Sequence, residues 1–209
     1  MKDEIALHWF RQDLRLSDNP SLNHLTENYT KILCIFIFDQ INCNRKLGSA
    51  SKNWLYHSLN YLNKQLNGKL LLFKGDPGKI LSSFIDEYNI KELCWNRCYE
   101  PWRVDRDKKI KEELKLKINV KTFNSSLLWE PWEVLKDDGT PYKIFTPFYK
   151  RGCLNGSEPR KPMSKKINFF NHQIKSLDVE DLNLLSNHAW EKRTINHWKV
   201  GEEFAGNLM

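Results

Sequence analysis

No uninterrupted apolar run in this sequence exceeds the seven residues Ile32 to Phe38, against the roughly 20 that a membrane-spanning helix requires. A membrane-spanning helix is therefore excluded. Cysteine is sparse: the five residues at 34, 43, 94, 98 and 153 are an odd number without framework spacing. Cys94-x-x-x-Cys98 has no second Cys or His pair to close a tetrahedral zinc site. Reduced structural thiols and no metal are expected. The opening Met1-Lys2-Asp3-Glu4 carries acids and runs directly into a strand-like segment, so neither a signal nor a transit peptide is expected and the reading is cytoplasmic. Glycine is missing from the loop after the first strand, Phe10 to Pro20. Without G-x-G-x-x-G or G-x-x-x-x-G-K-[ST] there, nicotinamide enzymes and P-loop nucleotide hydrolases are set aside.

What is present reads as a folded chain. Apolar residues at 40% and charged residues at 28% exclude wholesale disorder, collagen and coiled coil. A chain of 209 residues buries roughly 70% of its unfolded surface, enough for a core without staples. Lys and Arg total 33 against 26 acids, a net charge of +7, which suits contact with a polyanion without establishing it. Eight tryptophans point to aromatic-rich packing or a flat ligand.

Between Ile5 and Phe123 one theme recurs: a short apolar run, a turn-rich loop, then a helix-length stretch with apolar residues three and four apart. The strands are read as Ile5–Phe10, Ile32–Phe38, Leu70–Lys74, Glu92–Trp95 and Val120–Phe123, several apolar at consecutive positions as strands covered on both faces should be. Helices are expected from about Lys52 to Leu66, from Asp76-Pro77 through Tyr88, and from Glu100-Pro101 to about Leu116. Such βαβ units predict an α/β fold: a doubly wound, five-stranded parallel sheet with helices on both faces. Ligands in that architecture sit beyond the carboxyl ends of the strands, so the loops after Phe10, Phe38, Lys74 and Trp95 are the ones to inspect.

Three regions are expected: the α/β domain over residues 1–130, a wrap-around and basic linker over 131–190, and the first residues of a helical domain over 191–209. Residues 151–175 hold six basic residues and one acid and read as a solvated connector. That stretch and Tyr142–Arg151 could instead steer a phosphate backbone. Trp9 and Trp95 read as core, and Trp129, Trp132, Trp190 and Trp198 as packing of the linker on the sheet. Trp54 and Trp102 border the expected crevice. The six histidines lack partners at catalytic spacing, so no acid–base or nucleophilic residue is proposed.

Four stretches carry a resemblance. Trp9-Phe10-Arg11-Gln12-Asp13-Leu14-Arg15-Leu16-Ser17-Asp18-Asn19 resembles the opening W-F-R-x-D-L-R-x-x-D-N of the DNA photolyase/cryptochrome family. Asn96-Arg97-Cys98-Tyr99-Glu100-Pro101 with Arg106-Asp107 is similar to that family's N-x-x-Y-E-P segment and its downstream R-D. Pro141 to Phe148 resembles P-Y-K-V-F-T-P-F. Trp198-Lys199-Val200-Gly201-Glu202 is similar to W-x-P-G-E, with valine in place of proline.

The resemblance implies the N-terminal α/β antenna domain of a light-driven enzyme that repairs cyclobutane pyrimidine dimers in UV-damaged DNA by electron transfer from reduced FAD. FAD, the lesion pocket and the electron-relay tryptophans belong to a helical domain that this chain only begins, possession of which could fall to a separately encoded partner. The isolated chain is accordingly expected to be inactive. Folate-type members carry an Asn-Glu pair two positions after Y-E; Trp102 and Arg103 stand there instead, reversing the hydrogen-bond polarity. A deazaflavin or flavin antenna is therefore favoured over methenyltetrahydrofolate. By the same resemblance Arg11, Asp13, Asp39, Asn53, Asn96, Arg97 and Glu100 are candidate contacts, each with the alternative of fixing its loop. Two other readings stay open: a cryptochrome-type photoreceptor without repair activity, and a free-standing chromophore- or nucleotide-binding module.

Overall fold

Five parallel strands form the sheet: β1 (Lys2–Phe10), β2 (Tyr29–Phe38), β3 (Leu70–Lys74), β4 (Glu92–Asn96) and β5 (Asn119–Phe123), in the order β3-β2-β1-β4-β5. The computed structural model describes residues 1–42, 45–163, 169–186 and 188–208. Cys43, Lys165, Lys166 and Met209, which figure in the sequence reading, lie outside them. The chain winds outward from β1 to β3, then returns to place β4 on the other side of β1. That reversal puts a topological switch point at the carboxyl ends of β1 and β4.

Strand alternation divides the core in two. Ala6, Phe10, Cys34, Phe36 and Cys94 face Leu22, Leu25, Leu59 and Leu62, which belong to α1 (Pro20–Asn28) and α2 (Ser49–Gln65). Leu7, Trp9, Leu33, Ile35 and Trp95 face Leu81, Phe84, Ile85, Ile110 and Leu114, from α3 (Pro77–Tyr88) and α4 (Pro101–Leu114). Both faces are thus covered, which is why these strands read as continuous apolar runs. Asn19 caps α1 by accepting from the Leu22 amide at 3.2 Å, and Asp76 caps α3 by accepting from Lys79 at 3.0 Å. Proline follows each cap, where its missing N–H costs nothing.

The stretch after β5 holds a short α5 (Phe145–Pro147) that runs into a π-helical turn, Phe148–Cys153. The basic connector is only partly solvated. Residues Phe169 and Phe170 pack on the two core clusters, the Phe170 amide donates to Ile32 O at 3.2 Å and the Leu177 amide to Leu72 O at 3.0 Å. Apolar Phe169, Phe170 and Ile174 between the lysines supply that second contact surface. Val179, Leu182 and Leu184 then bury on the α1–α2 face. α6 (Ala189–His197) and α7 (Glu202–Gly206) end the described chain. Trp132 and Trp198 depart from the expected packing: they are 58% and 57% exposed. No described helix is long and apolar enough to cross a membrane.

Candidate functional site

A cavity of about 1380 Å³ opens beyond the carboxyl ends of β1 and β2, reaching α4 but no residue of β4; it therefore lies beside the β1/β4 switch point, on its β2 side. Trp9, Arg11 and Asp13 form its floor, Asp39 its β2 side, Ser51, Trp54 and Leu55 the wall given by α2, and Trp102, Arg103 and Arg106 the wall given by α4. Residues 200–203, 205 and 206 close the remaining side.

The glycine-free loop after β1 owes its shape to side chains. Asp13 accepts from the Arg11 amide at 3.0 Å and from Asn96 Nδ2 at 2.5 Å. Asn96 Nδ2 also donates to Asn19 Oδ1 at 2.8 Å, and its Oδ1 accepts from the Ser21 amide at 3.2 Å. Arg15 donates to Ser125 O at 2.7 Å. Glu202, 186 residues away from Leu16, accepts from the Leu16 and Ser17 amides, both at 2.8 Å. Charge-assisted bonds of this kind replace the backbone cradle that a glycine loop would form.

Beneath the cavity lies a ladder of buried charge. Arg11 pairs with Asp107; Arg106 donates to Asp107 at 2.7 Å and to Asp39 at 3.0 Å. Both guanidiniums also lie over indoles: Arg11 is 5.1 Å from the Trp9 ring centre and 5.9 Å from that of Trp95, and Arg106 is 5.1 Å from Trp9 and 5.2 Å from Trp102. Burial alone would raise the Asp39 carboxyl, but hydrogen bonds from Asn42, Arg106 and the Ile41 amide hold it below its ordinary range. Asp39 is therefore an anion at neutral pH.

The structure gathers Arg11, Asp13 and Asp39 at the cavity. Glu100 stands beside its rim, accepting from Gln12 Nε2 at 3.2 Å and lying 3.4 Å from Arg103. Asn96 sits behind Asp13 and shapes the loop from below. Asn53 and Arg97 serve elsewhere: Asn53 donates to Glu191 O at 3.2 Å, joining α2 to α6, and Arg97 grips Glu130 at 2.6 and 2.8 Å. Sequence reasoning missed Arg106 and the 200–206 wall. The R-D pair at 106–107 was the available signal for the first and the Gly201-Glu202 stretch for the second, though neither announced its distant partners.

A flat, acceptor-bearing ligand fits this cavity. Trp54 and Trp102 line it, and among the described residues no acceptor meets the buried donors Trp9 Nε1 and Arg11 Nε and Nη2, a state that polar groups rarely keep.

Comparison with known proteins agrees with the fold. The family model described as DNA photolyase matches residues 6–165. The chain is 33% identical over 210 residues to a deoxyribodipyrimidine photo-lyase of Agrobacterium fabrum, covering 97% of this chain and 43% of that protein. It is 30% identical to cryptochrome-1 of Arabidopsis thaliana, covering 78% of this chain and 25% of that one. A crystal structure of a bacterial class III photolyase from Agrobacterium tumefaciens superposes with a TM-score of 0.89 at 32% identity, over 99% of this chain and 44% of that one. The chain thus spans less than half the length of these relatives.

Proposed function

This chain belongs to the DNA photolyase family, and from that membership we propose that it is the antenna-binding N-terminal portion of a light-driven deoxyribodipyrimidine photolyase. The family binds flavin and antenna cofactors and acts on UV-damaged DNA. In this reading the cavity beyond β1 and β2 holds the antenna, and a deazaflavin or flavin suits it better than methenyltetrahydrofolate because Trp102 and Arg103 replace an Asn-Glu pair. The antenna would supply light absorption and pass excitation to reduced FAD in a helical domain, which donates the electron that splits a cyclobutane dimer. The residues of this chain do the holding: Trp54 and Trp102 flank a ring, Arg11 and Trp9 donate to its acceptors, and the buried charge ladder keeps the floor rigid.

The observation that carries the reading is the cavity beyond the carboxyl ends of β1 and β2, with a glycine-free Arg–Asp loop as its floor. The test is a titration of the purified chain with FMN, followed by flavin fluorescence. Quenching with saturable binding, weakened by Trp102→Ala, is expected; the absence of binding would sink the flavin assignment. Dimer-containing DNA under blue light should remain unrepaired by the chain alone and be repaired when a helical FAD domain is supplied. Cryptochrome relatives at 30% identity support a second reading, a photoreceptor; binding of both flavins without repair by the completed protein would favour it.

A further inference from the structure

At the amino-terminal end of β4, away from the cavity, three donor atoms of different chemistry converge under α1. Glu92 and Cys94 are two positions apart on a strand and share a face; α1 lays His24 across them. His24 Nε2 lies 2.5 Å from Glu92 Oε1, Cys94 Sγ lies 3.4 Å from the same oxygen, and all three donor atoms fall within 4.8 Å of one another. The Glu92 side chain is 3% exposed and that of His24 19%.

Two further features point to a cation at this place. Lys121 sets its ammonium 3.3 Å from His24 Nε2 and 3.5 Å from Glu92 Oε2 while remaining 50% exposed, so a positive charge already rests against the donors on a stem free to withdraw into water. Glu92 also has outer support of the kind that orients metal ligands: Tyr29 donates its hydroxyl to Glu92 Oε2 at 3.2 Å.

We propose that His24, Glu92 and Cys94 form a site for a zinc-class divalent cation, with Lys121 as an internal counter-ion that the metal displaces. An imidazole nitrogen, a carboxylate oxygen and a thiolate sulfur match zinc or cobalt and mismatch magnesium and calcium, which prefer all-oxygen shells. The fourth tetrahedral position would fall to water. Forming the metal–sulfur bond releases the Cys94 proton to solvent, with no change of oxidation state. The bound ion would pin α1 to β4. Sequence inspection passed over the site because it sought a second cysteine or histidine pair, whereas His24 and Glu92 come from separate elements. The site shares no residue with the antenna cavity and does not depend on the reading given to it.

Cobalt(II) chloride titrated into the purified chain, followed by visible and near-ultraviolet absorption, tests this directly. One equivalent should give a sulfur-to-cobalt band that zinc then displaces. Cys94→Ser, checked for native fold by circular dichroism, should abolish the band; Lys121→Met should tighten binding roughly tenfold, since a like charge leaves the site. No band in the wild-type chain, a band that survives Cys94→Ser, or unchanged affinity in Lys121→Met would each overturn the proposal.

Discussion

Arg106 and Asp39, 67 residues apart in the chain, meet at 3.0 Å beneath the cavity, with side chains only 9% and 5% exposed. The contact ties the loop after β2 to α4, and the same guanidinium holds Asp107. Removing one partner of such a buried pair strands the others. Arg106→Met should therefore destabilise the fold by roughly 3–5 kcal/mol, measured by urea unfolding at neutral pH. Arg106→Lys should recover only part of that loss, because a point charge cannot fork to two carboxylates or lie flat between two indoles. Wild-type stability in Arg106→Lys would contradict the forked role.

Asn96 donates to Asp13 at 2.5 Å inside the core. Asn96→Asp replaces that donor with a second carboxylate. Two like charges at this separation cannot both ionise, so the variant should lose on the order of 2 kcal/mol or more at neutral pH. The loss should shrink as pH falls and the pair shares a proton. A urea midpoint that is independent of pH would refute the pairing.

Two contacts at its N-terminus help to dock α7, beside the Phe204 ring 6.3 Å from that of Tyr61. Glu202 takes both loop amides, and Gly201, at φ +123°, presses so closely on Tyr61 that an added Cβ would lie 2.6 Å from its ring. Glu202→Ala or Gly201→Ala should release residues 198–206 without unfolding the sheet. Hydrogen exchange should show faster labelling at Leu16, Ser17 and α7 alone, and FMN affinity should fall because the cavity loses a wall.

His8 is fully buried, with Nδ1 2.8 Å from Ser21 Oγ, and burial pushes its pKa down from 6.5 to about 4 despite the opposing charge of Asp13. Between those values the unfolded chain binds the proton and the folded chain does not, so stability rises with pH. Full stabilisation is present above pH 6.5 and declines as pH falls toward 4, by roughly 3 kcal/mol from this residue. His57 and His172, also lowered by burial, add slopes of the same sign. Unfolding titrations at pH 7.5 and 5 should show the difference, and His8→Asn, which keeps a hydrogen-bonding nitrogen but cannot charge, should reduce it.

The sheet was legible because burial on both faces leaves an unmistakable imprint: Ile32–Phe38 and Leu70–Lys74 are strands wherever the window is placed. Helix α1 was harder, since Pro20–Asn28 is polar outside Leu22 and Leu25, and only the Asn19-Pro20 cap marks it. For the site, the β1 loop was readable as a constellation of charges, but not its partners. Asn53 was a pocket candidate through the family resemblance alone, yet its amide serves α6. Arg106 and Glu202 act across 67 and 185 or more residues, separations at which no local pattern can announce a contact.

The floor of the cavity takes its shape from side-chain pairs such as Asp13–Asn96 and Arg106–Asp39, with no glycine turn fixing the main chain. A floor of that kind resists piecemeal change: exchanging one guanidinium or amide leaves its buried partners unmatched, so the loops after β1 and β2 and helix α4 are bound to vary together or not at all.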